Sequence, residues 1–193
     1  MSTSTLTTTP YLRNRIHPLK FALWVACGSM LMVFASLTSA YVVRHAAGNW
    51  LEFQMPQPFY YSTLVILLSS VSLHIAFNAF KKEKEQLYKP MLLISMILAL
   101  GFLYLQYLGW RGLEDIGLPL KTNASGDFVY ALSWLHAGHV LGGIAALLVA
   151  TIVAFSMKFN VTPARKLRFE LTLTYWHFVD FLWVYLLLFF TFS

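Results

Sequence analysis

The feature that most constrains this chain is a series of five mostly apolar segments separated by short polar connections. They cover approximately residues 21–43, 60–80, 91–110, 130–155 and 171–192. An α-helix rises 1.5 Å per residue, so about 20 apolar residues cross the roughly 30 Å hydrocarbon core of a bilayer. The sequence therefore predicts an all-α fold, a polytopic transmembrane bundle of five helices.

The composition excludes an ordinary soluble domain. Hydrophobic residues make up 58% of the chain, charged residues only 11%, and the mean hydropathy is +0.62. The two longest connections, residues 48–58 and 112–126, carry glycine and proline turn formers and are too short for a separate domain. We expect a polar cytoplasmic tail over residues 1–18 and a single five-helix domain over residues 19–193.

The basic residues are distributed unevenly along the chain. Eleven of the fourteen precede the first span or lie between spans two and three or four and five, while Arg44, Arg111 and Lys121 lie on the other side. The positive-inside rule predicts an N-terminus in the cytoplasm, or in the equivalent compartment of an organelle, and an external C-terminus. We expect a bacterial cytoplasmic membrane. Anionic lipid headgroups account for the net charge of +6 without a nucleic acid. The candidate headgroup ligands are Lys20, Lys82, Lys166 and Arg168.

Several titratable side chains fall inside or beside the predicted spans. Such groups cost several kcal/mol in lipid unless they face protein or water. On the fifth helix Glu170 and His177 share a face, and Asp180 is about 60° away. Both packing and a functional role remain open for these groups, and a proton-coupled transporter would also suit them. The candidates are His136, His139, Glu170, His177 and Asp180.

A hydrogen bond between Asp180 on the fifth helix and His139 on the fourth is predicted from their similar depths. From the outer helix ends, Asp180 is about 18 Å deep and His139 about 14 Å, at 1.5 Å per residue. His177 is the alternative partner of the carboxylate. Either bond would offset the cost of burying the groups.

The histidines and the single cysteine give little indication of a metal site. A haem held by one histidine of the fourth helix and one of the fifth is conceivable. However, no histidine pattern repeats along the chain, so satisfied hydrogen-bonding histidines are the expectation. Cys27 is the only cysteine, which excludes an internal disulfide and a CxxC pair.

Glycines on the fourth predicted helix indicate close helix packing. Gly138 and Gly142 are four residues apart and are followed by Gly143. This spacing allows another helix to approach the backbone closely, so all three glycines are predicted to be helix contacts. By contrast, no nucleotide-binding, haem-attachment or zinc-helix motif is visible, and no nucleophile stands beside a base.

The chain resembles subunit III of the haem-copper respiratory oxidases in its five-helix form. Residues 175–180, Tyr-Trp-His-Phe-Val-Asp, together with Glu170 and Trp183, resemble the closing helix of that family. Residues 134–143, which include His136 and His139, resemble the preceding helix. Residues 100–110 and 62–70 resemble the two helices before it, so the likeness covers about residues 20–192.

The resemblance implies an accessory subunit without a redox centre, in a complex that reduces oxygen and pumps protons. Haem and copper would lie in partner subunits, above all the catalytic subunit I, and a larger supercomplex is conceivable. Family members bind structural phospholipid, support proton uptake and prolong the life of the catalytic subunit. A cytochrome c donor is expected, with a quinol oxidase or a complex associated with nitric oxide reductase as alternatives. Ser29 stands where the family often has a glutamate, so a role tied to that carboxylate is not expected.

Overall fold

The computed structural model describes residues 17–193, which fold into five long α-helices joined by short loops. The helices are α1 (Pro18–Ala46), α2 (Gln57–Lys81), α3 (Glu85–Asp115), α4 (Ala124–Ser156) and α5 (Pro163–Phe192). All five are long and apolar enough to cross a membrane. The predicted five-helix transmembrane fold is confirmed, while almost all of the predicted tail lies outside the described residues.

The helices are longer than the apolar segments that predicted them. For example, α3 has 31 residues and spans about 46 Å, more than the hydrocarbon core. The connection between α3 and α4 accordingly shortens from the predicted residues 112–126 to residues 116–123. The prediction ended each span near its charged flanks, but the helical hydrogen bonds continue through those residues.

Local sequence signals set several helix ends. Proline opens α1 at Pro18 and α5 at Pro163, where its missing N–H has no helical partner to lose. The side chain of Asn123 accepts a 2.9 Å hydrogen bond from the Ser125 amide and caps α4. Gly117 follows α3 with φ +83°, the left-handed conformation in which glycine has no steric penalty.

The central helix of the bundle is α5, which packs against α1, α2 and α4. The closest helix pair is α2 and α3, joined by residues 82–84. Within the described residues, α1 packs only on α4 and α5. The first helix is thus the most peripheral one, and α5 carries its side chains into the middle of the structure.

The core is built around two tryptophans of α5. Trp176 and Trp183 are fully buried, together with Phe34 of α1, Phe59 of α2 and Phe102 of α3. The Trp183 ring lies 5.6 Å from Phe102 and 5.9 Å from Phe59 between centroids. These large side chains fix how α5 sits among its neighbours and therefore where its polar residues point.

Candidate functional site in the polar interior of the bundle

Asp180 lies on α5 in the interior of the bundle and is only 4% exposed. Neither of its carboxylate oxygens has a hydrogen-bond partner among residues 17–193, although Ser70 of α2 lies beside it. The predicted hydrogen bond to His139 is wrong. His139 Nδ1 instead lies 2.8 Å from the Leu135 carbonyl of its own helix, and its ring packs on Phe34 of α1. Asp180 faces α2, whereas His139 faces α1.

His177 also faces α2. Its Nδ1 is 2.5 Å from the Ser70 hydroxyl, and its ring centroid is 5.8 Å from that of His74. His177 is therefore not the hydrogen-bond partner of Asp180 either, since both carboxylate oxygens lack one. We refer to Ser70, His74, His177 and Asp180 as the α2–α5 polar cluster. It runs from the buried carboxylate to the outer surface of α2, where His74 is exposed.

His136 is fully buried in an aromatic environment. Its ring stacks on Trp183 with 5.2 Å between centroids. The rings of Phe34 and Phe102 meet it edge-on, with centroid distances of 6.4 and 6.0 Å. Neither ring nitrogen has a hydrogen-bond partner within the described part of the chain. The structure thus brings His136 together with α5, without a hydrogen bond to the α2–α5 polar cluster.

Hydroxyl groups of α2 satisfy two buried donors whose hydrogen bonds were not predicted. Gln106 of α3 donates from Nε2 to Ser62 Oγ at 3.0 Å. Trp183 of α5 donates from Nε1 to Thr63 Oγ1 at 2.9 Å. The hydroxyl residues Ser62 and Thr63 inside the second apolar segment were a usable signal, because a buried glutamine or tryptophan needs such partners.

Glu170 is not part of this interior cluster. Its Oε1 atom lies 2.6 Å from Lys20 Nζ, and this ion pair links the first turn of α1 to α5. Both side chains remain more than one third exposed. Lys20 was predicted as a headgroup ligand, and the structure places its ammonium group on this carboxylate instead of leaving it free.

The other basic candidates differ in their surroundings. Lys82, Lys166 and Arg168 are all exposed, but among these three only Arg168 lines a groove of about 200 Å³ beside the α4–α5 loop. Arg165 lines the same groove and donates to the carbonyls of that loop at 3.0 and 3.3 Å. The rest of the groove is mostly apolar, with walls that include Ala146, Val149, Ala150, Val153 and Phe169.

The three predicted contact glycines of α4 also differ from one another. A Cβ on Gly143 would lie 2.9 Å from the Trp176 ring, and one on Gly142 would lie 3.5 Å from the Tyr175 hydroxyl. A Cβ on Gly138 would have no atom within 4 Å. Close approach to α5 therefore requires glycine at position 143, whereas Gly138 lies on the outer face of α4.

The histidine surroundings do not fit a haem held between α4 and α5. Three aromatic rings enclose His136, and His177 turns toward Ser70 on α2. Within residues 17–193 there is also no group of three or more histidine, cysteine, aspartate or glutamate side chains placed to hold a metal ion. The chemistry that these side chains offer is hydrogen bonding and proton exchange.

Comparison with known proteins identifies the family. Residues 51–193 match the protein family described as cytochrome c oxidase subunit III, which is well over half of the chain. The chain belongs to this family. It is an accessory subunit of a haem-copper oxidase, and the interpretation as a small transporter is dropped.

Individual relatives cover most of the chain. Cytochrome c oxidase subunit 3 of Corynebacterium diphtheriae is 28% identical over 179 residues, 89% of this chain and 86% of that protein. The probable subunit 3 of Mycobacterium tuberculosis is 28% identical over 184 residues, 89% of each chain. Subunit 3 of Bacillus sp. strain PS3 is 29% identical over 170 residues, 84% of this chain and 80% of that protein.

Within this subunit III, the run 175–180 makes contacts between helices. The Tyr175 hydroxyl donates to the His139 carbonyl of α4 at 2.9 Å, and Trp176 packs on Gly143 of the same helix. His177 turns to Ser70 on α2. The segment that carried the resemblance thus holds α5 between its two neighbours.

Proposed function

We propose that this chain stabilises catalytic subunit I of a cytochrome c oxidase in a bacterial cytoplasmic membrane. In this role it holds structural phospholipid and supports proton uptake from the cytoplasmic side, while haem and copper are held by partner subunits. The observation that carries the proposal is the apolar groove between α4 and α5 that contains Arg165 and Arg168. The bacterial relatives are named cytochrome c oxidase subunits, which favours cytochrome c over quinol as the donor.

The groove matches the two chemical parts of a phospholipid. Its wall is formed mainly by small and apolar side chains such as Ala150 and Val153, against which an acyl chain can pack. Arg165 is engaged by the carbonyls of Lys158 and Asn160, so Arg168 is the guanidinium free to pair with a phosphate. Arginine suits this task because its planar fork donates two parallel hydrogen bonds.

The charge distribution supports the part in proton uptake. With the N-terminus inside, the groove, the Lys20–Glu170 ion pair and most of the basic residues lie at the cytoplasmic surface. Fixed charges at that surface shape the electrostatic field at the mouth of a proton path in a neighbouring subunit. Slower proton delivery would leave the catalytic site longer in reactive intermediates, which connects proton uptake to the working life of the enzyme.

Arg168→Gln, with Lys166→Gln as a matched control, tests this role in the purified oxidase. Both residues are exposed cations on the first turns of α5, but only Arg168 lines the groove. We expect Arg168→Gln to lower the amount of phospholipid bound per complex and to shorten the time for which the enzyme stays active during turnover. Lys166→Gln should match the unmodified enzyme in both properties. Unchanged lipid content and endurance in the Arg168→Gln enzyme would contradict the proposal.

A further inference from the structure

His74 occupies an unusual position for a titratable side chain. It is exposed on the outer surface of α2, seven residues before the end of that helix at Lys81. Apart from Glu170, which is ion-paired with Lys20 and lies seven residues from the start of α5, no other described histidine, aspartate, glutamate, lysine or arginine side chain is exposed while lying seven or more residues from both ends of its helix. Its neighbour is the His177 ring, and neither of its own nitrogens has a hydrogen-bond partner among residues 17–193.

Lipid is an unfavourable neighbour for such a group. Seven residues place His74 about 10 Å from the end of α2, inside the hydrocarbon layer. The imidazole is too short to reach the headgroups, unlike the long side chains of lysine and arginine. Polar groups at this depth are almost always covered by protein or lie in a water-filled cavity.

The surface around His74 has the form of a helix contact. The exposed apolar residues of this face lie mostly three or four positions apart, except for the neighbours Leu67 and Leu68, and they form a ridge along one side of α2. Three residues of this ridge also line a shallow groove, together with Ser70, His74 and His177. A neighbouring helix could pack along the ridge and place a polar group in the groove. The ridge residues are Leu64, Leu67, Leu68, Val71 and Ile75.

We propose that this ridge and groove, centred on His74, form the docking surface for a transmembrane helix of another oxidase subunit. That helix presents a hydrogen-bond acceptor, a carboxylate or carbonyl oxygen, to the His74 imidazole. The contact extends the α2–α5 polar cluster across the subunit boundary, from buried Asp180 through Ser70 and His177 to the partner. The inference rests on the proposed function, because it requires that the chain is held in an oxidase.

Cross-linking in the assembled oxidase tests the docking surface. In a Cys27→Ala background, His74→Cys would carry a thiol-linked benzophenone, and Met32→Cys on the outer face of α1, 76% exposed, would serve as a reference. We expect the probe at position 74 to form an adduct with another oxidase subunit, identified by mass spectrometry. Adducts with lipid alone, or with a second copy of this chain, would overturn the inference even when the chain co-purifies with the haem-copper enzyme.

Two conservative variants test the hydrogen bond itself. His74→Leu keeps side-chain bulk and suits lipid, whereas His74→Gln keeps a donor at a similar position. We expect His74→Leu to raise the dissociation of this chain from the oxidase in mild detergent about threefold or more, and His74→Gln to restore most of the retention. Retention of His74→Leu equal to that of the unmodified chain would overturn the hydrogen bond. Failure of the unmodified chain to co-purify with any haem-copper enzyme would instead refute the proposed function.

Discussion

Replacing Gly143 by alanine should destabilise the bundle, whereas the same change at Gly138 should not. Both glycines lie on α4, five residues apart, and both lose backbone freedom in the helix. At Gly143 the added methyl carbon would lie 2.9 Å from two atoms of the Trp176 ring, which is fully buried and cannot move aside. At Gly138 it would enter open space.

The size of the effect follows from two opposing terms. Overpacking a well-packed core costs about 1 to 3 kcal/mol, and alanine recovers up to about 1 kcal/mol of helix propensity. Gly143→Ala should therefore lose up to about 2 kcal/mol of stability and should be about 1 to 3 kcal/mol less stable than Gly138→Ala. At about 2 to 4 °C per kcal/mol for a chain of this size, the Tm of Gly143→Ala should fall by up to about 8 °C. The Tm of Gly138→Ala should be unchanged or slightly raised.

The chain supplies its own reporter for the assay. Cys27 is the only cysteine and is 5% exposed, so a fluorogenic thiol reagent should react with it mainly after thermal unfolding in detergent. The two alanine variants and the unmodified chain would be heated side by side in the same detergent. Equal midpoints for the two variants, or a larger loss at Gly138, would refute the argued contact between α4 and α5.

Three further outcomes are expected. In a cysteine-free background, cysteines at Glu52 and Lys82 should react with an impermeant maleimide from opposite sides of the membrane, and reaction of both from one side would contradict the N-inside topology. Lys20→Met should lose at most about 1 kcal/mol of stability, because the ion pair is more than one third exposed. The loss should disappear in a Glu170→Met background, and an equal loss there would show that the 2.6 Å contact contributes nothing. Asp180→Asn should leave Tm unchanged or raise it, since the buried carboxylate has no hydrogen-bond partner among the described residues. A fall of several degrees would show that its charge is stabilised.

The fold was predictable because the length and hydropathy of each segment indicate a spanning helix. A run of about 20 apolar residues can form few structures other than a membrane-spanning helix. The ends were harder to predict. Residues 111–115 of α3 include three charged side chains and still continue the helix, because a helix satisfies its own backbone whether or not its side chains are apolar. Charge marked the edge of the hydrocarbon and not the end of the helix.

The candidate site was less predictable, because its geometry depends on which helices become neighbours. The depths of Asp180 and His139 agree, but α5 turns Asp180 toward Ser70 on α2, and His139 faces Phe34 on α1. Similarly, the spacing of the α4 glycines indicates a close approach without telling which glycine faces α5. The position of Trp176 decides that Gly143 does. Both answers depend on large core side chains of other helices, which periodicity within one helix does not encode.

The most direct test of the central claim compares the purified oxidase with and without this chain. The reduced-minus-oxidised spectrum, the initial rate and the rate after many turnovers would be measured on both preparations. If the chain is a supporting subunit, its removal leaves the haem spectrum intact and shortens sustained turnover, and adding the chain back restores it. Loss of the haem spectrum on removal would contradict this account. So would an unchanged sustained rate and unchanged proton pumping in the enzyme without this chain.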